Sequence, residues 1–166
     1  MKQMDEIFTY REAKPYLMRT KRMLKSVRSL ENYIEETKKD LLELEKISLK
    51  SGKKAAILSF VKKTAGNFDT EYDNYLQKTE NALSRAEHLY QKIMDAYGNI
   101  RNEMIREILE YYYMDEHTIE DTAEHFAFSV SSISRYKKTG LIKMSECLFG
   151  IIIDDKIDSA LKLQIS

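Results

Sequence analysis

Small hydroxyl groups and cations are concentrated between residues 129 and 143. The hydroxyls are Ser129, Ser131, Ser132 and Ser134, and the cations are Arg135, Lys137, Lys138 and Lys143. Arginine can donate two hydrogen bonds to the edge of a guanine, serine can bond base edges or phosphates, and lysine attracts the phosphate backbone whatever its sequence. Short side chains let a helix lie deep in the major groove, while the cations behind them hold the duplex. The stretch therefore predicts a surface that binds double-stranded DNA.

These side chains can act together only if the segment is a helix with a buried opposite side. Thr118 followed by Asp121 is typical of a helix N-terminus, with a capping hydroxyl and an acid in the first turn. We therefore predict a short helix over Ile119–Phe126. After a tight turn Ser129 can cap a second helix, which we expect over residues 129–138. This second helix would enter the major groove, with the Ser129 hydroxyl and the helix N-terminus on a phosphate.

The apolar residues around the turn have the spacing of a helix-turn-helix. Ala123 is small where the second helix must cross, and Ile133 and Tyr136 would face inward against a third helix over 100–113. The outward side of the second helix then carries Ser131, Ser134, Arg135 and Lys138, with Val130 and Ser132 near its leading end. Val130 would contact a thymine methyl group, and the lysines would contact the DNA backbone.

The residues from 118 to 144, "TIEDTAEHFAFSVSSISRYKKTGLIKM", resemble region 4 of bacterial sigma factors, a C-terminal helix-turn-helix. The pattern of that region begins with T-L-E-E and ends in an apolar A-L-x-K-L, and its counterparts here are "TIED" at 118–121 and "GLIKM" at 140–144. Sigma factors carry long polar or basic side chains at several base-reading positions. The shorter residues here favour binding to an operator or phage site over sigma-type promoter recognition. The resemblance implies base reading by Val130, Ser131, Ser134 and Arg135.

The layout of the whole chain is similar to that of the ArpU/RinA-type regulators of late genes in phages of Gram-positive bacteria. It combines "YREAKPYLMRTKRML" at 10–24, a long helical middle and a C-terminal helix-turn-helix that ends in "LFG" at 148–150. This resemblance implies a transcriptional activator of phage or prophage late genes. Such a protein would work with host RNA polymerase in the cytoplasm of the host cell.

The composition predicts an all-α protein with a long helical hairpin. Proline occurs once and glycine five times, and no segment alternates apolar and polar residues over the length of a strand. Two stretches place apolar or small residues at alternating steps of four and three, the heptad pattern of paired helices. These seams are Met23, Val27, Leu30, Ile34, Thr37, Leu41, Leu44 and Ser48, and Tyr72, Leu76, Thr79, Leu83, Ala86, Tyr90, Ile93 and Tyr97. Paired within the chain, they give an antiparallel, coiled-coil-like hairpin; paired between chains, they give a homodimer.

Three regions are expected along the chain. Residues 1–98 would form the helical hairpin, with a basic connector near 46–68. Residues 99–150 would form the sigma region 4-like helix-turn-helix domain. The apolar tail, residues 151–166, would cover that domain or contribute to a subunit contact.

Positive charge is confined to blocks, although the formal net charge of the chain is zero. Residues 13–30 carry cations and no acid, and the same is true of residues 46–68 and 129–145. The acids concentrate in 31–45 and 69–124. A charged partner responds to such blocks within a screening length of about 8–10 Å. The zero sum is therefore compatible with nucleic-acid binding.

The sequence contains no constellation of catalytic or metal-binding residues. His88, His117 and His125 lack the spacing of metal ligands with one another or with Cys147, and no glycine-rich phosphate loop is present. We predict no enzyme activity, no cofactor and no small-molecule ligand, and a buried, inert thiol at Cys147. The longest apolar run, at 147–153, is too short to span a bilayer, and the N-terminus lacks the apolar segment of a signal peptide. We therefore expect a cytoplasmic protein without membrane contacts.

Two other functions are compatible with these residues. One is the small terminase subunit of a phage packaging motor, which joins a helix-turn-helix, usually N-terminal, to helical oligomerisation elements. The other is a coiled-coil interaction protein whose hairpin binds a partner and whose helix-turn-helix fold only packs. A ring of many subunits in solution would favour the first. Failure to bind any duplex at low salt would favour the second.

Overall fold

Helices dominate the fold of this protein. The computed structural model describes the backbone of residues 7–49 and 68–155, and the side chains of 7–46 and 71–155. Helices account for 81% of the described residues, and the only strands among them are two of three residues each. The predicted all-α class is confirmed. Residues 50–67 of the predicted basic connector and 156–166 of the predicted tail lie outside the described part.

The described elements follow one another in the order β1, α1 to α6, β2. The strands are β1, Ile7–Thr9, and β2, Ile152–Asp154. A π-helical turn, Glu110–Met114, directly continues the fourth helix. The helices are α1, Lys14–Lys25; α2, Val27–Leu49; α3, Phe68–Gly98; α4, Glu103–Leu109; α5, Ile119–Phe126; and α6, Val130–Phe149.

The chain divides into two compact units. Unit 1 combines the described residues of Met1–Arg28 with those of Gln91–Ser166, and unit 2 comprises those of Ser29–Tyr90. Neither unit ends at the boundary after residue 98 that the sequence suggests. The difference arises because α1 packs against α6, and because β1 pairs with β2.

Helix α1 is fixed on α6 through a buried pair of hydroxyl groups. The buried side of α1 carries Leu17, Thr20 and Leu24. The Thr20 hydroxyl donates to the carbonyl oxygen of Tyr16 at 2.9 Å, and its oxygen lies 2.6 Å from Ser145 Oγ on α6. Ser145 is therefore the donor within the pair. Both residues are fully buried, so removing one hydroxyl would leave the other with an unmet bond, at a cost of about 1–3 kcal/mol.

Helix α4 lies at the centre of unit 1. Asn102 caps it, because its Oδ1 accepts a hydrogen bond from the Ile105 amide at 3.2 Å. Ile105, Ile108 and Leu109 are buried. Gly140 of α6 lies directly against this surface, since a Cβ at Gly140 would be 2.7 Å from Leu109 Cδ1 and 2.9 Å from Ile105 Cγ2. The absence of a side chain at Gly140 therefore allows α6 to cross α4 closely.

The π-helical turn after α4 is held by polar contacts. Arg28 lies 2.8 Å from carboxylate oxygens of both Glu110 and Asp115. The Tyr97 hydroxyl donates to the carbonyl oxygen of Arg106 at 3.1 Å. Burial raises the pKa of Tyr97 to about 12, so its hydroxyl remains a donor even at the alkaline pH at which an exposed tyrosine loses its proton.

The two strands join the ends of the described chain in a small parallel sheet. Ile7 pairs with Ile152, and Phe8 with Ile153. Ile153 is buried, and its amide donates to Glu146 Oε2 at 3.3 Å. The first residues of the predicted tail thus pack on unit 1. Strands of three residues are too short to show the alternation by which a sequence reveals strands.

Unit 2 contains the greater part of α2 and α3. Lys38 Nζ on α2 lies 3.4 Å from Glu87 Oε1 on α3, and the Tyr90 hydroxyl donates to Glu31 Oε1 at 3.1 Å. The seam residues described in this unit are buried or half-buried, whereas most of the residues between them are exposed. The seams therefore mark the covered side of each helix. No helix in the described ranges is both long and apolar enough to cross a membrane.

Candidate nucleic-acid interface

Helix α5 begins and ends as its local sequence predicts. Thr118 has an extended backbone, and its Oγ1 accepts a hydrogen bond from the Asp121 amide at 3.1 Å. Glu120 and Asp121 place acids in the first turn, where the helix dipole favours them. Ala127 ends the helix in the left-handed region, with φ 56°. The Phe128 amide then donates to the Ala123 carbonyl oxygen at 2.9 Å, which closes a tight turn.

Helix α6 begins immediately after this turn. Ser129 is its N-cap, with its Oγ accepting a hydrogen bond from the Ser132 amide at 3.1 Å. The same hydroxyl lies 3.0 Å from Ser132 Oγ. From its N-cap, the helix covers the predicted segment 129–138 and continues without a break to Phe149. Gly140 does not interrupt it, although glycine is a poor helix former, and its lack of a side chain leaves room for α4.

The inner side of α6 joins α5 and α4 in one apolar cluster. Ile133 is fully buried together with Ile108 and Ala123. Tyr136 is half-buried and packs on the edge of the same cluster. These contacts fix the rotation of α6 about its axis. The residues on its opposite side are therefore turned to solvent.

The leading turns of α6 present a surface that contains no acid. Val130 is 44% exposed, and Ser131, Ser134 and Arg135 are exposed as well. The Arg135 guanidinium carbon lies 5.6 Å from the centre of the Tyr136 ring. Stacking of this kind limits the directions that an arginine can adopt. The arginine therefore projects from a helix that is firmly packed behind it.

The three lysines of this segment lie in different surroundings. Lys137 is half-buried, with its ammonium group 3.6 Å from the centre of the Tyr112 ring. Lys138 Nζ lies 2.8 Å from Asp155 Oδ1 and 4.2 Å from the centre of the Tyr10 ring. Lys143 is exposed. Of the three, Lys138 shares the face of Arg135, because successive residues of a helix turn by about 100°.

One face of α6 thus brings together Ser131, Ser134, Arg135 and Lys138. Lys137 and Lys143 lie on the two flanks of this face, about a third of a turn away from Ser131 on either side. Val130 and the Ser129–Ser132 pair lie at its leading end. The arrangement can donate hydrogen bonds from arginine and serine and can attract anions. It contains no group suited to acid–base chemistry.

No family model, curated protein or solved structure matches this chain.

Two residues of this surface, Tyr10 and Asp155, are missed by reasoning from sequence. Both contact Lys138, yet they lie far from it along the chain. Neither residue belongs to a sequence motif, because single tyrosines and adjacent acids are common on protein surfaces. Their position depends on the pairing of β1 with β2, which the sequence does not reveal.

The histidines and the cysteine form no metal site in the described part of the chain. There, no three His, Cys, Asp or Glu side chains are arranged to hold a metal ion. The Tyr111 ring stacks on His117 at 3.8 Å and on His125 at 4.3 Å. Cys147 is exposed and accepts a hydrogen bond from Asn99 Nδ2 at 2.9 Å, so the prediction of a buried thiol is wrong. Leu148 and Phe149 follow it in sequence, but Cys147 itself is exposed at the end of α6.

Replacing Asp155 by asparagine is expected to strengthen binding to any duplex. The carboxylate competes with phosphate for Lys138, and a half-exposed ion pair of this kind contributes about 0–1 kcal/mol. Affinity should rise by up to about fivefold at low salt, and the gain should shrink as salt is added. Fluorescence anisotropy over a salt series measures both effects. Asp95→Asn, which removes the same charge from a residue bonded to Gln91, is the control and should leave affinity unchanged.

Proposed function

We propose that α5 and α6 form a helix-turn-helix and that this protein is a sequence-specific, double-stranded DNA-binding transcription regulator. Helix α6 would insert its leading turns into the major groove. Arg135 would donate two hydrogen bonds to a guanine, and Ser131 and Ser134 would bond base edges or phosphates. Val130 would contact a thymine methyl group. Ser129 and the N-terminus of α6 would receive a phosphate.

The observation that carries this proposal is the division of α6 into a buried and an acid-free exposed side. Ile133 has no exposed surface, while Arg135, two residues later, is exposed and faces away from the core. A helix that only packs tends to mix both signs of charge on its exposed side. The exposed side of its leading turns instead carries hydroxyls, cations and Val130, and no acid of α6. This combination suits an anionic ligand that is read at close range.

The regulator is further proposed to be a phage or prophage activator of late genes that contacts host RNA polymerase. The likeness of residues 118–144 to sigma region 4 supports this step. The absence of any arrangement of catalytic groups on the described surface of α6 is compatible with a binding role. Activation and repression differ in what the protein contacts beside DNA, so polymerase recruitment requires its own test.

Selection of bound sequences from random duplex DNA tests the proposal. The expected result is a single enriched motif that contains at least one guanine within the few base pairs that α6 can reach. With Arg135→Ala, the preference for that guanine should disappear from the motif while the other positions stay enriched. If the wild-type protein enriches no motif and binds no duplex at low salt, the proposed function is wrong.

A second candidate, a helical interaction protein, is favoured by exposed apolar side chains in unit 2. Leu42 and Tyr75 are 55% and 57% exposed. The contacts of Glu31 with Tyr90 and of Lys38 with Glu87 support an antiparallel hairpin of α2 and α3, and these side chains lie on its surface. They could bind a partner protein or a second hairpin. Sedimentation velocity measures the oligomeric state of the protein. A dimer is expected of a regulator that binds two half-sites, whereas a large ring is expected of the terminase subunit named above.

A further inference from the structure

Helix α1 carries a stripe of exposed cations along its whole length. The buried side of the helix is defined by Leu17, Thr20 and Leu24, and the stripe lies along one flank of that side, with Arg22 reaching onto the opposite side. Its members, all exposed, are Lys14, Lys21, Arg22 and Lys25. We call these four residues the α1 stripe. From Lys14 to Lys25 it extends about 17 Å at 1.5 Å per residue.

The charges of the α1 stripe are not balanced by the protein around them. Within the described residues, none of the four forms an ion pair, and residues 13–30 contain no acid. Lys21 and Lys25 are four residues apart, and Arg22 and Lys25 three apart, so like charges face each other. The first turn of α1 also lacks the acid that a helix N-terminus favours. These features weaken an isolated helix and are compensated when an anion lies against it.

Two exposed lysines of α2, Lys38 and Lys39, show the contrast. Lys39 lies 2.9 Å from Glu35 on the same helix, and Lys38 lies 3.4 Å from Glu87. Such mixed charge is typical of a helix that faces only water. The α1 stripe therefore has a different character from the ordinary helical surface of this same chain.

The position of α1 on α6 relates the stripe to the DNA-reading face. Thr20 contacts Ser145, and the Tyr16 ring lies 5.2 Å from the Phe149 ring. At about 100° per residue, Ser145 and Phe149 lie on the same face of α6 as Ser131 and Arg135, three to four turns further along. Helix α1 thus covers this face of α6 at its C-terminal end, near Ser145 and Phe149. The N-terminal end of the same face, with Ser131 and Arg135, is left exposed. A duplex on the exposed end would run beside α1.

We propose that the α1 stripe binds the phosphate backbone of DNA that flanks the base pairs read by α6. This inference rests on the proposed function and extends the contact surface beyond a single recognition helix. The length of about 17 Å corresponds to about five phosphates of one strand, at 3.4 Å of duplex axis per phosphate. Lysine and arginine at this spacing supply attraction without reading sequence. The stripe therefore adds affinity, whereas Arg135 adds discrimination.

The test compares two duplexes that carry the selected site, one of about 12 and one of about 30 base pairs. The full chain is used with Lys21→Ala, Arg22→Ala and Lys25→Ala combined. The control combines Lys39→Ala, Lys46→Ala and Lys78→Ala, which remove three exposed cations from unit 2. Circular dichroism melting verifies that both variants fold like the wild type.

On the long duplex, the α1 variant should lose at least about tenfold in affinity at about 0.1 M salt, and the slope of log K against log salt should become shallower by up to about 2.7. On the short duplex both quantities should stay close to those of the wild type. The control should match the wild type on both. Phosphate ethylation of the long duplex should likewise interfere with wild-type binding outside the selected base pairs.

Three results would overturn the inference. If the α1 variant binds the long duplex with the same affinity and the same salt slope as the wild type, the stripe does not contact DNA, while the proposed function still stands. Equal losses in the α1 variant and the control would show a general effect of net charge. A wild-type protein that binds neither duplex would remove the proposed function and this inference together.

Discussion

Replacement of Arg135 by alanine is expected to lower affinity for the selected site by about 1–3 kcal/mol, or about 5- to 150-fold. The Arg135 side chain is exposed on the free face of α6, whereas Ile133, on the opposite side of the helix, has no exposed surface. The loss should fall on one base pair of the motif, because a bidentate arginine–guanine contact is directional. Anisotropy titrations with the selected duplex and with single-base variants measure the loss and locate it.

The matched substitutions at this face separate recognition from attraction. Arg135→Lys keeps the positive charge but not the fork of donors, so it should lose discrimination while the salt dependence stays the same. Lys138→Ala should weaken all duplexes alike and make the salt slope shallower by about one. If Arg135→Ala bound the selected site as tightly as the wild type and with the same base preference, α6 would not be the reading helix.

Replacement of Gly140 by alanine is expected to destabilise unit 1 by roughly 1–2 kcal/mol. The new methyl group would lie 2.7 Å from Leu109 Cδ1 and 2.9 Å from Ile105 Cγ2. Leu109 is fully buried and Ile105 only 7% exposed, so neither side chain can move aside without disturbing the core. Overpacking of this kind costs about 1–3 kcal/mol, and the better helix propensity of alanine returns up to about 1 kcal/mol.

Gly98 provides the control for this change. It is the last residue of α3, and a Cβ there would meet no atom within 4 Å. Gly98→Ala should therefore be neutral or stabilising by up to about 1 kcal/mol. The chain contains no tryptophan, so unfolding in urea is followed by circular dichroism at a helix band. A Gly140→Ala variant as stable as Gly98→Ala would mean that α6 and α4 do not cross closely at this point.

Local capping chemistry makes the ends of α5 and the start of α6 predictable from sequence. Thr118 and Ser129 accept hydrogen bonds from amides three residues later, and such bonds depend only on neighbouring residues. The burial of Ile133 is also predictable, because the spacing of the apolar residues around the turn shows which side of α6 faces the core. The heptad seams predict the covered sides of α2 and α3 for the same reason.

Contacts between distant parts of the chain are not predictable in this way. The sequence shows Lys137 and Lys138 as two neighbouring cations, yet Lys137 lies over Tyr112 and Lys138 pairs with Asp155. The first seam begins only at Met23, near the end of α1, and nothing in it predicts that Thr20 is buried against Ser145. The apolar pattern alone does not show whether a helix packs against the next helix in sequence or against one much further along the chain. For the same reason the candidate surface gains Tyr10 and Asp155 only in the folded chain.

The parallel pairing of Ile7–Thr9 with Ile152–Asp154 constrains when unit 1 can assemble during synthesis. The described helices of unit 2 can form early, but Thr20 has no hydroxyl to meet until Ser145 has been synthesised. Contacts this distant in sequence form slowly, because a long loop must close first. A nascent or prematurely terminated product that lacks Ser145 would thus leave the inner surface of α1 uncovered. If α6 reads DNA as proposed, such a product would not compete for a regulatory site.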